Sequence, residues 1–323
     1  MKLSHLRRFV AVAERGSMRS AARELGVPQP VITRSIQELE RELGVQLFER
    51  SISGIVLTPI AEKILRRAKV METELERTLE EVEQFKGKDS GTLTVGLSSG
   101  VHVAILPKVL ALFRNRYPKV RIKVIEGLYP ALEADIRDGI IEIYVGPVPR
   151  EQRAPDLIVE HLFENQRIIV GRFDHPLAGA TSIHELKDAE WVTTPVMGDS
   201  ESEVNAIFVA AGMAPPTIVA QATSGLSILS MVASTDLLAP LPQLWAEFIA
   251  STQLLCAIPL VQPTFSPPIC IARQSRLHLP PAAQFFSDLI HRMAANHART
   301  LAGPAIYEPP RQPSGDLSEN KAA

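Results

Sequence analysis

The chain has 323 residues, 46% of them hydrophobic, which is enough for two or three domains with packed cores. No window of about eighteen apolar residues occurs, so no membrane span is expected, and the start Met1-Lys-Leu-Ser-His-Leu-Arg-Arg8 lacks the apolar core of a secretory signal, so a cytoplasmic location is expected. Cys256 and Cys270 make neither a disulfide framework nor a zinc site by spacing; buried, inert thiols are expected. The net charge of −2 is unevenly spread: residues 1–69 hold 13 Lys and Arg against 7 Asp and Glu, a balance of +6, which leaves −8 on the rest and suits a basic module that meets a polyanion.

Leu6, Phe9, Val10 and Ala13 predict a first helix over 4–15, with Arg7 and Arg8 open to phosphate or to solvent alike. Ser17 can cap a short second helix, in which Ala21, Ala22 and Leu25 share one face and which Gly26 ends. Pro28, Gln29 and Pro30 open a third, where Val31, Ile32, Ile36, Leu39 and Leu43 recur at helical spacing. Gln29, Thr33, Arg34 and Gln37 are left pointing outward. That set suits a helix-turn-helix whose second helix enters the major groove: glutamine pairs with adenine, arginine with guanine, and the threonine methyl touches thymine. The same residues fit a plain helical hairpin with a solvated face, and spacing alone leaves both open. Gln46-Leu-Phe-Glu-Arg50 and Ile55-Val-Leu-Thr58 then read as short strands around a turn at 51–54.

The whole N-terminal run resembles the LysR-type transcriptional regulators. The matching residues are Leu6, Phe9 and Val12, then Gly16-Ser17, Ala21-Ala22, Gln29-Pro30, Leu39-Glu40, Leu43-Gly44, Leu47-Phe48-Glu49-Arg50 and Leu57-Thr58. The resemblance implies a winged helix-turn-helix that binds double-stranded promoter or operator DNA through Ser17, Gln29, Pro30, Thr33, Arg34 and Gln37. Arg50 of the wing would reach the minor groove or a phosphate. Two departures stand out: Pro28 replaces the family's frequent Ser or Thr, and the wing tip Ser51-Ile-Ser-Gly54 carries no charge where the family's is often basic.

Thr58 and Pro59 start a long helix, along which Ala61, Ile64, Ala68, Met71, Leu75, Thr78, Val82 and Phe85 form an a/d heptad seam, widened by Leu65 and Leu79. Such a face packs either on its own domain or on another helix. The resemblance implies the latter, a linker helix that pairs subunits into a homodimer, with tetramers as dimers of dimers.

Gly87-Lys-Asp-Ser-Gly91 breaks that helix. Beyond it, apolar strands alternate with amphipathic helices, which predicts an α/β domain with largely parallel strands. Strands are expected at 93–97, 120–125 and 140–145, with helices at 105–116 and 128–137. A second, similar half runs from about 166 to 268, before a return through Pro268-Ile-Cys-Ile-Ala272 and a helix at 282–295. The fold class is thus α/β: a winged helix-turn-helix over 1–58, a linker helix over 59–87, a hinge at 88–91 and an effector domain over 92–300. That domain resembles a two-lobed periplasmic binding protein, with lobe I at 92–165 and 269–300 and lobe II at 166–268. Residues 301–323, rich in Pro, Ser and charge, read as a disordered tail.

Ligands of open α/β sheets bind at the carboxyl ends of strands. Ser98, Ser99 and Gly100 follow the first strand and precede a helix, an arrangement that can hold an anion. Family position adds Gly127-Leu128, Pro147-Val148, Thr193-Thr194-Pro195 and Thr223-Ser224. Each hydroxyl taken singly fits ordinary capping equally well; the ring together points to a small polar or anionic effector. No arginine falls at these positions, so no bidentate clamp is expected, and His102 is a possible donor. No catalytic constellation, metal site, cofactor motif or phosphate loop is found, so a regulator rather than an enzyme is expected. The rival is a solute-binding protein or small-molecule enzyme that its N-terminal helices merely dimerise. The family resemblance also implies RNA polymerase as a partner.

Overall fold

The computed structural model describes residues 1–51, 54–85, 90–148, 154–194, 201–261 and 265–301. Three helices open the chain: α1 (Leu3–Arg15), α2 (Met18–Glu24) and α3 (Gln29–Leu43). Ser17 caps α2, its hydroxyl accepting from the Ser20 N–H at 3.5 Å, and Pro30 lies in the first turn of α3. Gly26 and Gly44 follow α2 and α3 at φ 63° and 69°, left-handed values that a Cβ would disfavour. Phe9, Val12, Ala21, Ile32 and Leu39 fill the centre of this head. Leu43, expected on the buried face, sits in the last turn of α3, outside that cluster and exposed.

β1 (Phe48–Ser51) and β2 (Gly54–Leu57) pair antiparallel as the wing, with Phe48 opposite Leu57; residues 52–53 lie outside the described residues. Glu40 Oε1 accepts the Leu47 N–H at 2.8 Å, which ties the wing to α3. On the other side Thr58 donates to the Gln46 carbonyl at 2.9 Å and accepts from the Ala61 N–H at 3.2 Å, capping α4 (Pro59–Phe85).

The seam of α4 divides. Ala61, Ile64, Leu65 and Ala68 pack into the head's own core, and Lys69–Glu14 (2.7 Å) and Arg7–Glu72 (3.4 Å) lash α4 to α1. Met71, Leu75, Thr78, Leu79 and Val82 are exposed in the single chain; the Phe85 side chain lies outside the described residues. Own-domain packing and an uncovered apolar stripe therefore each account for half of the helix.

β3 (Ser90–Leu97) begins inside the predicted hinge: Ser90 and Gly91 already pair with Lys119 and Val120 of β4 (Lys119–Glu126), while residues 86–89 lie outside the described residues. The helix expected over 105–116 is α6 (Leu106–Arg116); a short helix not expected there, α5 (Ser99–Ala104), precedes it, and Pro107 in the first turn of α6 has no N–H with which to join the two into one ladder. α7 (Tyr129–Arg137) and β5 (Ile143–Pro147) follow, β5 starting three residues later than expected.

Next comes β6 (Leu157–Arg172), sixteen residues without a break. Lobe II holds β7 (Glu190–Thr193), α8 (Glu201–Ala210), β8 (Thr217–Gln221), α9 (Gly225–Ser234) and β9 (Ala239–Pro242), then a 3-10 turn (Gln243–Trp245), α10 (Ala246–Thr252) and β10 (Leu255–Ile258). β11 (Phe265–Gln274) returns to lobe I, and α11 (Pro281–Leu301) closes the described chain. Among the described residues the main sheet runs β10-β6-β11-β5-β3-β4, with β9 also on β6. The expectation of largely parallel strands is corrected here. β3, β4 and β5 run parallel, as do β7 and β8, but β6, β9, β10 and β11 pair antiparallel. β6 crosses from lobe I to lobe II in the sense of β3, β4 and β5; β11, coming back, runs against both β5 and β6, and β9 and β10 run against β6. Up to Gln166 β6 pairs with β11; from Arg167 it pairs with β9 and β10, so the passage between lobes is a continuous strand.

Lobe I buries Phe113, Phe286 and Leu289 on one side of the sheet and Tyr129 and Tyr144 on the other. Lobe II is centred on Trp191 and Phe208. Cys270 is buried and Cys256 half-buried; both are free thiols, and burial pushes that of Cys256 up. No helix among the described residues is long and apolar enough to cross a membrane.

Candidate functional site

Two surfaces gather the residues singled out by sequence. On the head, α3 buries Ile32, Ile36 and Leu39 and turns Gln29, Pro30, Thr33, Arg34 and Gln37 onto one open concave face, together with Glu38 and Arg41. Thr33 back-bonds to the Gln29 carbonyl at 3.3 Å, which leaves its methyl for outside contact. Arg34 is 82% exposed and its Nε donates to Glu38 Oε1 at 2.9 Å. Ser17, half-buried, stands at the start of α2 as its cap. The backbone of Arg50 lies on β1 opposite Ile55; its side chain lies outside the described residues. Arg7 and Arg8 are engaged within the protein: Arg7, still exposed, pairs with Glu72, and the half-buried Arg8 donates to Ser35 Oγ at 2.6 Å.

The second surface is the cleft between lobes. Ser98, Ser99, Gly100, Gly127, Leu128, Pro147, Thr194 and Thr223 line it together. Three predicted residues do not. Val148 is buried in the core of lobe I, Thr193 is buried at the end of β7, and Ser224, just before α9, lines an outer depression. The reason is the pleat: neighbours in an extended chain point to opposite sides, so only one of Pro147/Val148 and one of Thr193/Thr194 can face the cleft. Pro195 lies outside the described residues, and His102 is not among the lining residues.

Sequence reasoning missed the charges. Arg167 of β6, only 7% exposed, lines the cleft, as do Asn165 and Glu126. Asn165 donates to the Pro267 carbonyl at 3.2 Å, so the wall is built where β6 meets β11. No arginine falls at the positions singled out by sequence, but Arg167 brings one to the cleft from a strand that was not among them. A cation inside the apolar run Arg167-Ile-Ile-Val170 was the available signal, since arginine is seldom buried without a polar purpose.

The lobes stand close. A Cβ on Gly225 would lie 2.9 Å from Trp245 Cζ2 and 3.0 Å from Ser99 Cβ, so glycine lets the start of α9 meet α5. Lys108 of α6 also bridges to Glu247 of α10 at 3.2 Å. The open volume is about 20 Å³, room for roughly one water.

α7 spans from this cleft to the linker helix. Its N-terminal cap, Leu128, is in the lining, and its C-terminal end meets two arginines of α4. Arg66 donates to the Asp138 carboxylate and, at 3.1 Å, to the Ala134 carbonyl; Arg77 donates to the Gly139 carbonyl. Cations suit the negative end of a helix.

Residues 86–295 match the family model "LysR substrate binding domain", and residues 3–62 match "Bacterial regulatory helix-turn-helix protein, lysR family". Over 241 residues the chain is 27% identical to the HTH-type transcriptional regulator TdcA of Escherichia coli K12, covering 75% of this chain and 77% of that one. Over 177 residues it is 33% identical to the HTH-type transcriptional regulator PcaQ of Agrobacterium fabrum, covering 55% and 57%. The crystal structure of CbnR, a LysR family transcriptional regulator, shares the fold at TM-score 0.71 and 22% identity, covering 91% of this chain and 99% of that one. The C199D variant of full-length OxyR from Pseudomonas aeruginosa does so at TM-score 0.64 and 23% identity, covering 90% and 94%. With both halves of its length matched in the family's own order, the chain belongs to the LysR family of transcriptional regulators.

Proposed function

We propose that this regulator reads operator DNA with the open face of α3 and is controlled by a small anionic effector held between its lobes. The observation that carries the reading is the two-sidedness of α3: Ile32, Ile36 and Leu39 are buried, and Gln29, Pro30, Thr33, Arg34 and Gln37 share the open side. Ser17 would take a phosphate at the start of α2, and Arg50 would contact the backbone or minor groove from the wing. The working units are a head at 1–58, a linker helix at 59–87 and an effector domain at 92–300. The uncovered half of α4 pairs two chains into a dimer. The protein works in the cytoplasm, where its DNA is, and as a regulator rather than an enzyme.

In the cleft, Ser98, Ser99, Thr194 and Thr223 supply hydroxyls and Arg167 supplies positive charge in a dry setting, which favours a carboxylate or sulfonate. About 20 Å³ is far below the ~300–1,000 Å³ of ordinary ligand pockets, so the effector enters by parting the lobes. It then acts by preferring the parted arrangement.

The test is binding of the full-length protein to the DNA upstream of its own gene, at several salt concentrations, with and without a panel of small carboxylates and sulfonates. Tight binding that weakens steeply with salt and shifts with one compound is the expected result. Equal affinity for that DNA and for random DNA, unmoved by every compound, would sink the reading.

A further inference from the structure

Glu38 is a carboxylate on a face meant for a polyanion, and its presence there calls for a physical reason. As a stabilising pair with Arg34 it is poor: the arginine is 82% exposed, and arginine four residues before glutamate is the weaker order on a helix. Its geometry is more specific. Glu38 Oε1 takes the Arg34 Nε at 2.9 Å, and Glu38 Oε2 lies 3.4 Å from Nε2 of His5, a residue of α1 whose side chain is 5% exposed. The three side chains thus form a line from the packed interior of the head to its open face. The guanidinium beside it holds the Glu38 carboxyl below the usual carboxylate range, so the carboxylate stays ionised.

A guanidinium has two flat edges that can donate in pairs. Glu38 engages the side that carries Nε. Among the described residues Nη1 and Nη2 of Arg34 make no hydrogen bond, and they form the end-on edge that matches O6 and N7 of guanine. A long side chain left to itself would lose rotamer freedom on docking; one already held loses less.

Resting on the reading of α3 as the DNA-contacting helix, we propose that Glu38, anchored by His5, is a positioning residue that holds Arg34 with its Nη1–Nη2 edge toward guanine. It sets base preference at one position of the operator and adds nothing to general DNA affinity. A direct reading of cytosine by Glu38 is a different role and predicts a different outcome.

The test selects duplexes from a randomised pool with full-length wild-type protein, Arg34→Ala, Glu38→Gln and the double variant, and then measures affinity for the selected and for random DNA. Arg34→Ala relaxes guanine preference at one position. Glu38→Gln relaxes the same position about tenfold, leaves affinity for random DNA equal or higher because a negative charge is gone, and adds nothing in the Arg34→Ala background. Relaxation at another position, no relaxation, or a sharper guanine preference in Glu38→Gln overturns the proposal while the α3 reading stands. Failure of the wild type to select any sequence overturns that reading, and this proposal with it.

Discussion

Arg167 and Tyr144 show how single buried polar groups set the behaviour of the effector domain. Replacing Arg167 by Gln keeps a hydrogen-bonding side chain but removes the charge that lines the cleft. Affinity for a carboxylate effector should fall about ten- to a hundredfold, the weight of one charge-assisted hydrogen bond. Calorimetric titration measures it, and unchanged affinity would remove Arg167 from the site. Tyr144 lies fully buried on β5, stacked edge-on to Tyr129 at 5.9 Å, and its hydroxyl donates to the Pro147 carbonyl at 3.4 Å. Burial raises its pKa far above the ordinary tyrosine value. The folded state therefore keeps the proton that the unfolded chain would release near pH 10, so this stability is complete below that pH and is lost as pH rises beyond it. Tyr144→Phe should cost less than ~1 kcal/mol at neutral pH, since the bond it removes is long. Its urea midpoint should also fall less than the wild type's between about pH 8 and pH 11. An equally steep fall would clear Tyr144.

At the scale of elements, the uncovered half of α4 carries the clearest consequence. Leu79 is 58% exposed between Leu75 and Val82 on the same stripe. Burying one leucine is worth ~1.5–3 kcal/mol, so Leu79→Glu should weaken a dimer at least tenfold, read by sedimentation velocity. An unaltered oligomer would place the subunit contact elsewhere. Elements with local causes were legible in the sequence: Ser17, Pro30, Gly26, Gly44 and Thr58 each start or stop a helix through their own backbone chemistry. What was not legible depends on distant partners. The antiparallel return of β11 along β6 follows from pairing across about a hundred residues. The division of α4 depends on how far α1 reaches along it. In the cleft, strand-end hydroxyls marked the right corners, but choosing Thr194 over Thr193 needs the strand's orientation, and Arg167 needs the knowledge that β6 passes between lobes.

For the whole molecule, the path from the inter-lobe cleft to the head is short. The cleft touches the front of α7, the back of α7 is held by Arg66 and Arg77, and those arginines stand on a helix whose first half is part of the head. Coupling between sites requires an element whose position both ends can bias, and α7 with α4 is the stretch that touches both ends. A protein with Arg66→Ala and Arg77→Ala together should bind effector and DNA separately with near-normal affinity. The effect of one ligand on the other, typically ~1–3 kcal/mol, should fall toward zero. DNA titrations with and without saturating effector measure this, and an intact effector response in the double variant would place the connection elsewhere.

The seating of Ala61, Ile64 and Ala68 inside the head makes α4 a rigid lever with the DNA-reading domain at one end. Its 27 residues span ~40 Å at ~1.5 Å each. A tilt of about ten degrees applied at Arg77, ~27 Å from the head end, would sweep that end by ~5 Å, more than one base-pair step of ~3.4 Å along DNA. A change in the cleft no larger than the space for one small molecule is thereby magnified into a change in which stretch of duplex two paired heads can reach at once.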